Sequence, residues 1–437
     1  MNPELQRNLW LEFSWHRLVV MPCVLALLFL CVALGTQPNS DVGVTTTGLL
    51  LFIGLAGFWG ARRAADAVTE EFRGKTWDGQ RMSALGPWSM TWGKLVGSTS
   101  YAWYGALICL ATVAVAWPLH WGYAASLVIA GAVCAAVCAQ ALALIASLMA
   151  TRKGLVHSYA RGTWLVLLLL VFSGSSTSLI TKLAQSFSWW GHEVEGWRFA
   201  LGTSVVFAAW AVFGAYRLMC QELQVRTTPW GWAAFVLFLS WYLAGFAVQP
   251  RDAAPSAVFL IAGLLVSAAF TYCMLFTEQT GALVLRRVWV RVQRQEWRRV
   301  LEEIPCWLVS LALTAVFCVL LILTVSRLPG ELDAYRNLNF TPLPLLALLF
   351  LMRDAAIFLV FSLARAPRRV EATTFLYLVL LYLILPGVCK LASADILGTL
   401  VLPPLFKRPV FATVVLAVHA AIALGLVVYR WRLSFSD

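Results

Sequence analysis

The sequence predicts an all-α, polytopic membrane protein of about twelve transmembrane helices arranged as two parallel six-helix repeats. Three observations lead there: an apolar content that water does not support, long apolar runs alternating with short basic loops, and a similarity between the two halves. Of the 437 residues, 61% are hydrophobic and only 12% are charged. A soluble domain hides apolar side chains only in its core, so this composition requires lipid as the solvent. A net charge of +12 and 21 tryptophans would suit nucleic acid if basic and aromatic residues shared one surface. Here the Lys and Arg residues cluster between apolar runs and many Trp residues flank them, as charge and aromatic rings do at the two faces of a membrane. No nucleic-acid partner is expected.

Taking about 20 apolar residues per crossing, spans are expected near 18–35, 44–61, 96–117, 121–150, 160–181 and 199–216. A second set is expected near 230–249, 255–276, 304–326, 341–363, 371–391 and 409–430. Lys and Arg resist translocation, whereas acidic residues matter little. With the N-terminus inside, about 24 of the 33 Lys and Arg residues fall on the cytoplasmic side, about eight outside, and Arg353 within a span. Both termini are therefore expected in the cytoplasm, together with the loops around Arg73, Lys153, Arg291 and Arg368. The first span follows a mixed-charge segment with Glu4 and Glu12 rather than a short basic start, so retention rather than cleavage is expected. The ten cysteines lie within or beside apolar segments, which argues against a disulfide framework. Cys134 and Cys138 have an ordinary helical core spacing, and no nearby His or second Cys pair completes a zinc site. No metal is expected.

The halves resemble each other at an offset of about 215–220 residues. Trp77–Trp88 and Trp297–Trp307 each set a Trp, an amphipathic turn or two, then Pro and Trp just ahead of a span. The run from Ser147 lines up with that from Ser362, and RLMCQELQVRTTPW from Arg217 is similar to RNLWLEFSWHR from Arg7. Six crossings is an even number, so the halves are expected to sit parallel about an axis along the membrane normal. The chain thus reads as a fused dimer. Residues 1–216 carry an N-terminal interfacial helix and a cytoplasmic loop at 62–95; residues 217–437 carry a cytoplasmic loop at 277–303. Glu70–Met82 sets Phe72, Trp77 and Met82 among charged residues, and Arg286–Leu301 sets Val288, Val292, Trp297 and Val300 among six arginines. Both patterns suit helices lying in the membrane interface.

The segment EEFRGKTWDGQRMSALGPWSMTWGKLVGS from Glu70 resembles a hallmark of ABC-2-type permeases, the membrane subunits of a class of ATP-driven exporters. In that family a charged stretch is followed by Leu-x-Pro and then Gly-Lys leading into the third span, here Leu85, Pro87, Gly93 and Lys94. The second half departs from it, since Pro305 and Trp307 have no following Gly-Lys. The resemblance implies that the loop docks in a groove of a separate ATPase. Residues implicated are Glu70, Glu71, Arg73, Trp77, Asp78, Arg81, Leu85, Pro87, Trp88 and Lys94, and in the second half Arg294, Trp297, Arg298 and Pro305. It also implies short re-entrant elements at the exterior, at Gln185–Arg198 and around Pro403, Pro404, Lys407 and Arg408, and residence in a bacterial inner membrane. A topogenic loop resting on anionic lipid is the other reading of the same basic residues.

Gly74, Lys75 and Thr76 do not make a phosphate loop, because GxxxxGK[ST] needs glycine where Thr69 stands, and a preceding strand. The chain is expected to hold no cofactor; ATP and Mg would belong to partner ATPase subunits, and a fused dimer would need no further permease copy. Arg353 and Asp354 lie mid-span, where an ionised group must face protein or water. They read as a structural ion pair, a gate or a polar substrate contact. Neighbouring residues point about 100° apart on a helix, which suggests separate partners. Gln140, at the corresponding depth of the first half, is uncharged. The histidines His16, His120, His157, His192 and His419 are scattered, without a nucleophile or carboxylate pattern beside them. A transport subunit rather than an enzyme is expected. A secondary transporter of the major facilitator type is the alternative, its loop between spans two and three being shorter and differently ordered. A membrane enzyme acting on lipid-linked substrates is a more distant one.

Overall fold

The computed structural model describes residues 2–37, 40–83, 85–116, 122–152, 185–248, 255–278, 282–327, 343–364, 370–392, 399–400, 403 and 409–433. The span expected at 160–181 lies outside these residues, as do His120, Lys153, His157, Arg368, Pro404, Lys407 and Arg408. The protein is helical and polytopic. Among the described residues ten helices are long and apolar enough to cross a membrane. An eleventh crossing forms if the pair Pro87–Gly97 and Ser100–Ala116, bent by 51°, counts as one span. These eleven occupy the positions read from hydropathy, because the length of an apolar run is set by bilayer thickness before any packing occurs.

The chain divides into two compact units, Met1–Phe187 with Glu193–Thr227, and Ser188–His192 with Thr228–Asp437. The first begins with α1 (Pro3–Glu12), capped by the Asn2 side chain, which accepts from Glu4 N at 3.1 Å. Then follow α2 (Trp15–Gly35), and α3 (Ser40–Phe52), which widens into a π-helical segment, Ile53–Trp59, and continues as α4 (Gly60–Arg73). The second crossing and the start of the expected 62–95 loop are thus one rod. The loop proper holds α5 (Trp77–Arg81) and α6 (Pro87–Trp92), whose ladder passes through a second π segment, Gly93–Gly97, before α7 (Ser100–Ala116). Two long helices, α8 (Gly122–Arg152) and α9 (Gly196–Glu222), complete the described part. The boundary falls at Thr227 rather than 216 because α9 runs unbroken to Glu222 and stops in a left-handed turn at Gln224 (φ 57°).

The second unit holds α10 (Trp230–Ala247), α11 (Pro255–Thr277), α12 (Ala282–Gln293), α13 (Trp297–Glu303), α14 (Cys306–Arg327) and α15 (Leu343–Ser362). The next crossing is α16 (Val370–Val379), a third π segment (Leu380–Ile384) and α17 (Leu385–Leu391); α18 (Pro409–Leu433) is last. Where re-entrant elements were expected after Gln185, the chain forms a hairpin, β1 (Ser186–Trp189) and β2 (His192–Glu195). Trp190 (φ 53°) and Gly191 (φ 75°) make its turn, the left-handed pair that a two-residue hairpin demands. Within the second unit the Trp189 indole donates to Tyr242 O (3.2 Å), Trp190 N donates to Gly245 O (2.8 Å), and both rings pack on Trp241.

Both units use the same pairings. Among the described residues α3 packs on α7 as α11 does on α14, and α8 packs on α9 as α15 does on α18. The turn into each short loop helix is also repeated. Thr76 N donates to Glu71 O (3.0 Å) around Lys75 (φ 56°), and Glu296 N donates to Arg291 O (3.1 Å) around Gln295 (φ 56°). This is the six-to-one bond of a Schellman stop, recurring here at an offset of 220 positions; the end of α9 makes the same bond, from Val225 N to Cys220 O around Gln224.

Close helix contact in lipid rests on small residues. A Cβ at Gly263 of α11 would lie 2.3 Å from Cε1 of Phe317 in α14, while one at Gly387 would meet nothing within 4 Å. Gly263→Ala should therefore lower the unfolding midpoint in detergent, by an amount equivalent to about 1–3 kcal/mol. Gly387→Ala should leave the midpoint unchanged.

Candidate functional site

Two polar sites lie inside this apolar chain. The first surrounds the Gly-Lys pair at the start of the third span. A Cβ on Gly93 would stand 2.7 Å from Cβ of Glu4, and one on Gly97 2.8 Å from Cβ of Asn8, so α1 lies directly on the glycine face of the π segment. A π turn shifts the ladder and leaves backbone carbonyls to be met by other donors. The Asn8 amide donates to Gly93 O at 3.2 Å. Lys94, 1% exposed, is aimed at Glu71, at Glu4 Oε1 (3.4 Å) and at Gln80 Oε1 (3.0 Å), and its Nζ is 5.3 Å from the centre of the Trp77 ring. Glu71 also accepts from Arg7 and from Gln80 Nε2 (2.7 Å), and Arg7 reaches Glu4 at 3.1 Å. Two carboxylates and two cations thus neutralise each other with one amide joined to both kinds, an arrangement that offsets part of the desolvation cost of burying them. Glu12 at the far end of α1 pairs with Arg63 of α4 and with Arg17.

The arrangement divides the residues expected to dock a partner. Trp77 and Lys94 are buried and Glu71 nearly so; they hold α1, α4, α5 and the third span together rather than offering a surface. Glu70, Arg73, Asp78 and Trp88 are exposed, and Leu85 and Pro87 are half-buried. Arg81 turns inward, where its Nε donates to Glu222 O (3.0 Å) at the C-terminal end of α9, the negative end of the helix dipole. In the second half Arg294, Trp297 and Arg298 are exposed and Pro305 is buried. The matching tryptophans change places: Trp77 is 3% and Trp297 61% exposed, whereas Trp88 is 53% and Trp307 2% exposed.

Glu4, Arg7, Asn8 and Gln80 were not among the expected site residues. Their signal is the spacing of Glu4, Asn8 and Glu12, one polar residue per turn, all buried on α1 while Trp10 and Leu11 face outward. In water that pattern reads as a solvated face; in lipid the polar face turns inward.

The second site is the Arg353–Asp354 pair of α15, in the middle of the span and almost wholly buried. Divergent partners were expected for adjacent residues, but the Arg353 side chain folds back onto its neighbour. Its Nε donates to Asp354 Oδ1 at 2.9 Å, and Nη2 stands 2.9 Å from the same oxygen, off line for a hydrogen bond. Asp354 Oδ2 accepts from Tyr272 (2.8 Å) on α11 and from Tyr382 (2.6 Å) in the third π segment. The guanidinium lies 4.9 Å from each of the Phe350 and Tyr382 ring centres, which supply cation–π attraction at a buried position. Gln140, at the matching depth, is an amide clamp: its Nε2 donates to Ala56 O (2.8 Å) of the first π segment, and its Oε1 accepts from Trp103 (3.1 Å). Gly60 leaves room for it, since a Cβ there would be 2.5 Å from Nε2.

Fold and sites together define a multi-pass α-helical membrane protein with an ionic junction at the foot of its third span and a buried ion pair in α15. Comparison of the chain with protein-family models, with curated proteins and with solved structures finds no match.

The closed ionic set makes a distinctive demand. Lys94→Met should destabilise by about 3–5 kcal/mol, because Glu71 and Glu4 lose their buried cation and are left to share the half-exposed Arg7. Adding Glu71→Gln should recover part of the loss. Unfolding midpoints of the single and double variants measure this, and an equal loss in both would remove the coupling between them.

Proposed function

We propose that the chain is the membrane-spanning permease subunit of an ATP-driven ABC-2-type exporter, working with separate ATPase subunits that bind ATP and Mg. The observation that best supports this reading is the junction itself. Lys94 begins the third span and is ion-paired to the loop at Glu71 and to α1 at Glu4, so a displacement of the loop is passed to a transmembrane helix through buried charges. Just outside that junction, Glu70, Arg73, Asp78 and Trp88 are exposed and carry both signs of charge for a protein partner. A coupling contact must differ between two states to transmit anything, and the ion pairs that join the loop to the third span, beside the packing of Trp77 and Met90, are contacts that can be re-paired. In this reading both termini and both loops are cytoplasmic, and the membrane is a bacterial inner membrane.

Orientation is checked by single-cysteine labelling at 73 and 291 in intact cells. An impermeant reagent should modify both only after permeabilisation; labelling from outside would overturn the docking scheme as well. Docking is checked with Arg73→Glu and Asp78→Lys, which should abolish association with the ATPase and coupled hydrolysis while leaving the unfolding midpoint unchanged. The purified chain alone should hydrolyse no ATP, since Thr69 stands where a phosphate loop needs glycine. Full coupling in both variants would leave the loop no docking role.

A further inference from the structure

We infer that α12 and α13 of the second unit form a binding surface for anionic phospholipid headgroups, and that the two loops of the chain have parted in function. The surface is fixed at the membrane boundary by its own attachment points. Glu278, just past the end of α11, accepts from Cys306 N (3.0 Å) and Trp307 N (3.3 Å), capping the first turn of α14. The loop therefore leaves and re-enters the spans at a single depth. Within it, Arg291 joins α12 to α13 through Glu303 (2.6 Å) and Arg299 O (3.3 Å), and Leu285 packs on the buried cluster of Leu275, Trp307, Ala355 and Phe358.

The outer face combines what headgroups select. Leu283, Trp289 and Trp297 are exposed beside exposed Arg287, Arg294 and Arg298, none of the three arginines having an ion pair among the described residues. Apolar and aromatic groups beside unpaired arginines at headgroup depth are drawn into an anionic interface. The matching loop of the first unit is built otherwise. Gly60–Arg81 sets five basic residues against four acidic ones and closes several of them into ion pairs, whereas Ala282–Glu303 sets six arginines against Glu296, Glu302 and Glu303, with Glu296 and Glu303 paired to Arg299 and Arg291. Charge complementarity thus favours lipid for the second loop, and reassigns Arg294 and Arg298 from a partner protein to the membrane. The inference stands whatever the chain transports.

The test uses the full chain in nanodiscs of phosphatidylcholine, alone or with phosphatidylglycerol in equal parts, with retained lipid counted by native mass spectrometry. The unaltered chain should retain phosphatidylglycerol in preference to phosphatidylcholine, and raising salt from about 0.05 M to about 0.5 M should erode the preference. Changing Arg287, Arg294 and Arg298 to Gln should weaken it roughly fivefold per arginine, while Lys at all three positions retains it. Arg62→Gln with Arg73→Gln, in the first loop, should leave it intact. Equal retention of the two lipids, retention indifferent to salt in the unaltered chain, or loss of an associated protein with lipid unchanged in the Gln variant would each overturn the inference. The salt series needs no substitution, so it decides even if a variant fails to fold.

Discussion

Every backbone polar group in the hydrocarbon layer must find its partner inside the protein, and the architecture follows from how this chain meets that demand. Regular helix meets it without help. The points where the ladder is broken are where polar side chains gather. Pro22 cannot donate to Leu18 O in α2, and the Tyr104 hydroxyl donates there at 3.0 Å instead. Each of the three π segments among the described residues lies at a polar contact: Ala56 O receives Gln140, Gly93 O receives Asn8, and the third segment places Tyr382 on Asp354. Both candidate sites thus contact a helix defect, while other buried polar groups, such as Ser267 and Thr314, bond each other across regular helices.

The two sites balance charge differently. Around Lys94, carboxylates from α1 and from the end of α4 meet cations from α1 and the third span, so the set holds only while three segments stay together. Around Arg353, the counter-charge is the next residue in the chain, and the neighbouring segments supply the hydroxyls of Tyr272 and Tyr382 and a ring face. An ion pair carried on a single helix travels with that helix, whereas a shared one ties helices together. The first arrangement suits a joint and the second a self-contained polar plug, which is the physical basis for placing coupling at the foot of the third span.

The internal repeat persists in the backbone and diverges in the side chains. The paired spans and the left-handed stops at Lys75 and Gln295 recur in both units. Yet Trp77 and Trp297, equivalent by position, are respectively buried against a lysine and exposed. The cause is local: Lys94 gives Trp77 a cation to cover, and the second half has no Gly-Lys at the corresponding place. Loss of that pair removes the close seat for a leading helix and releases the loop to carry arginines instead.

The sequence by itself determined the solvent, the crossings and the repeat, because apolar run length, basic loops and helix stops act over a few residues and do not depend on a partner. Arg353 and Asp354 were legible as buried charges for the same reason, since charge within an apolar run is visible in the sequence, but not as partners of each other. Only the tertiary structure decided which polar residues belong together. Glu4 and Lys94 are separated by 90 positions and Tyr272 and Asp354 by 82, and no periodicity records such contacts. Nor does hydropathy reveal that the polar face of α1 turns inward, since the same pattern on a soluble helix would face water. Position along the chain measures polarity; the direction in which that polarity points is set by what the folded helices place beside it.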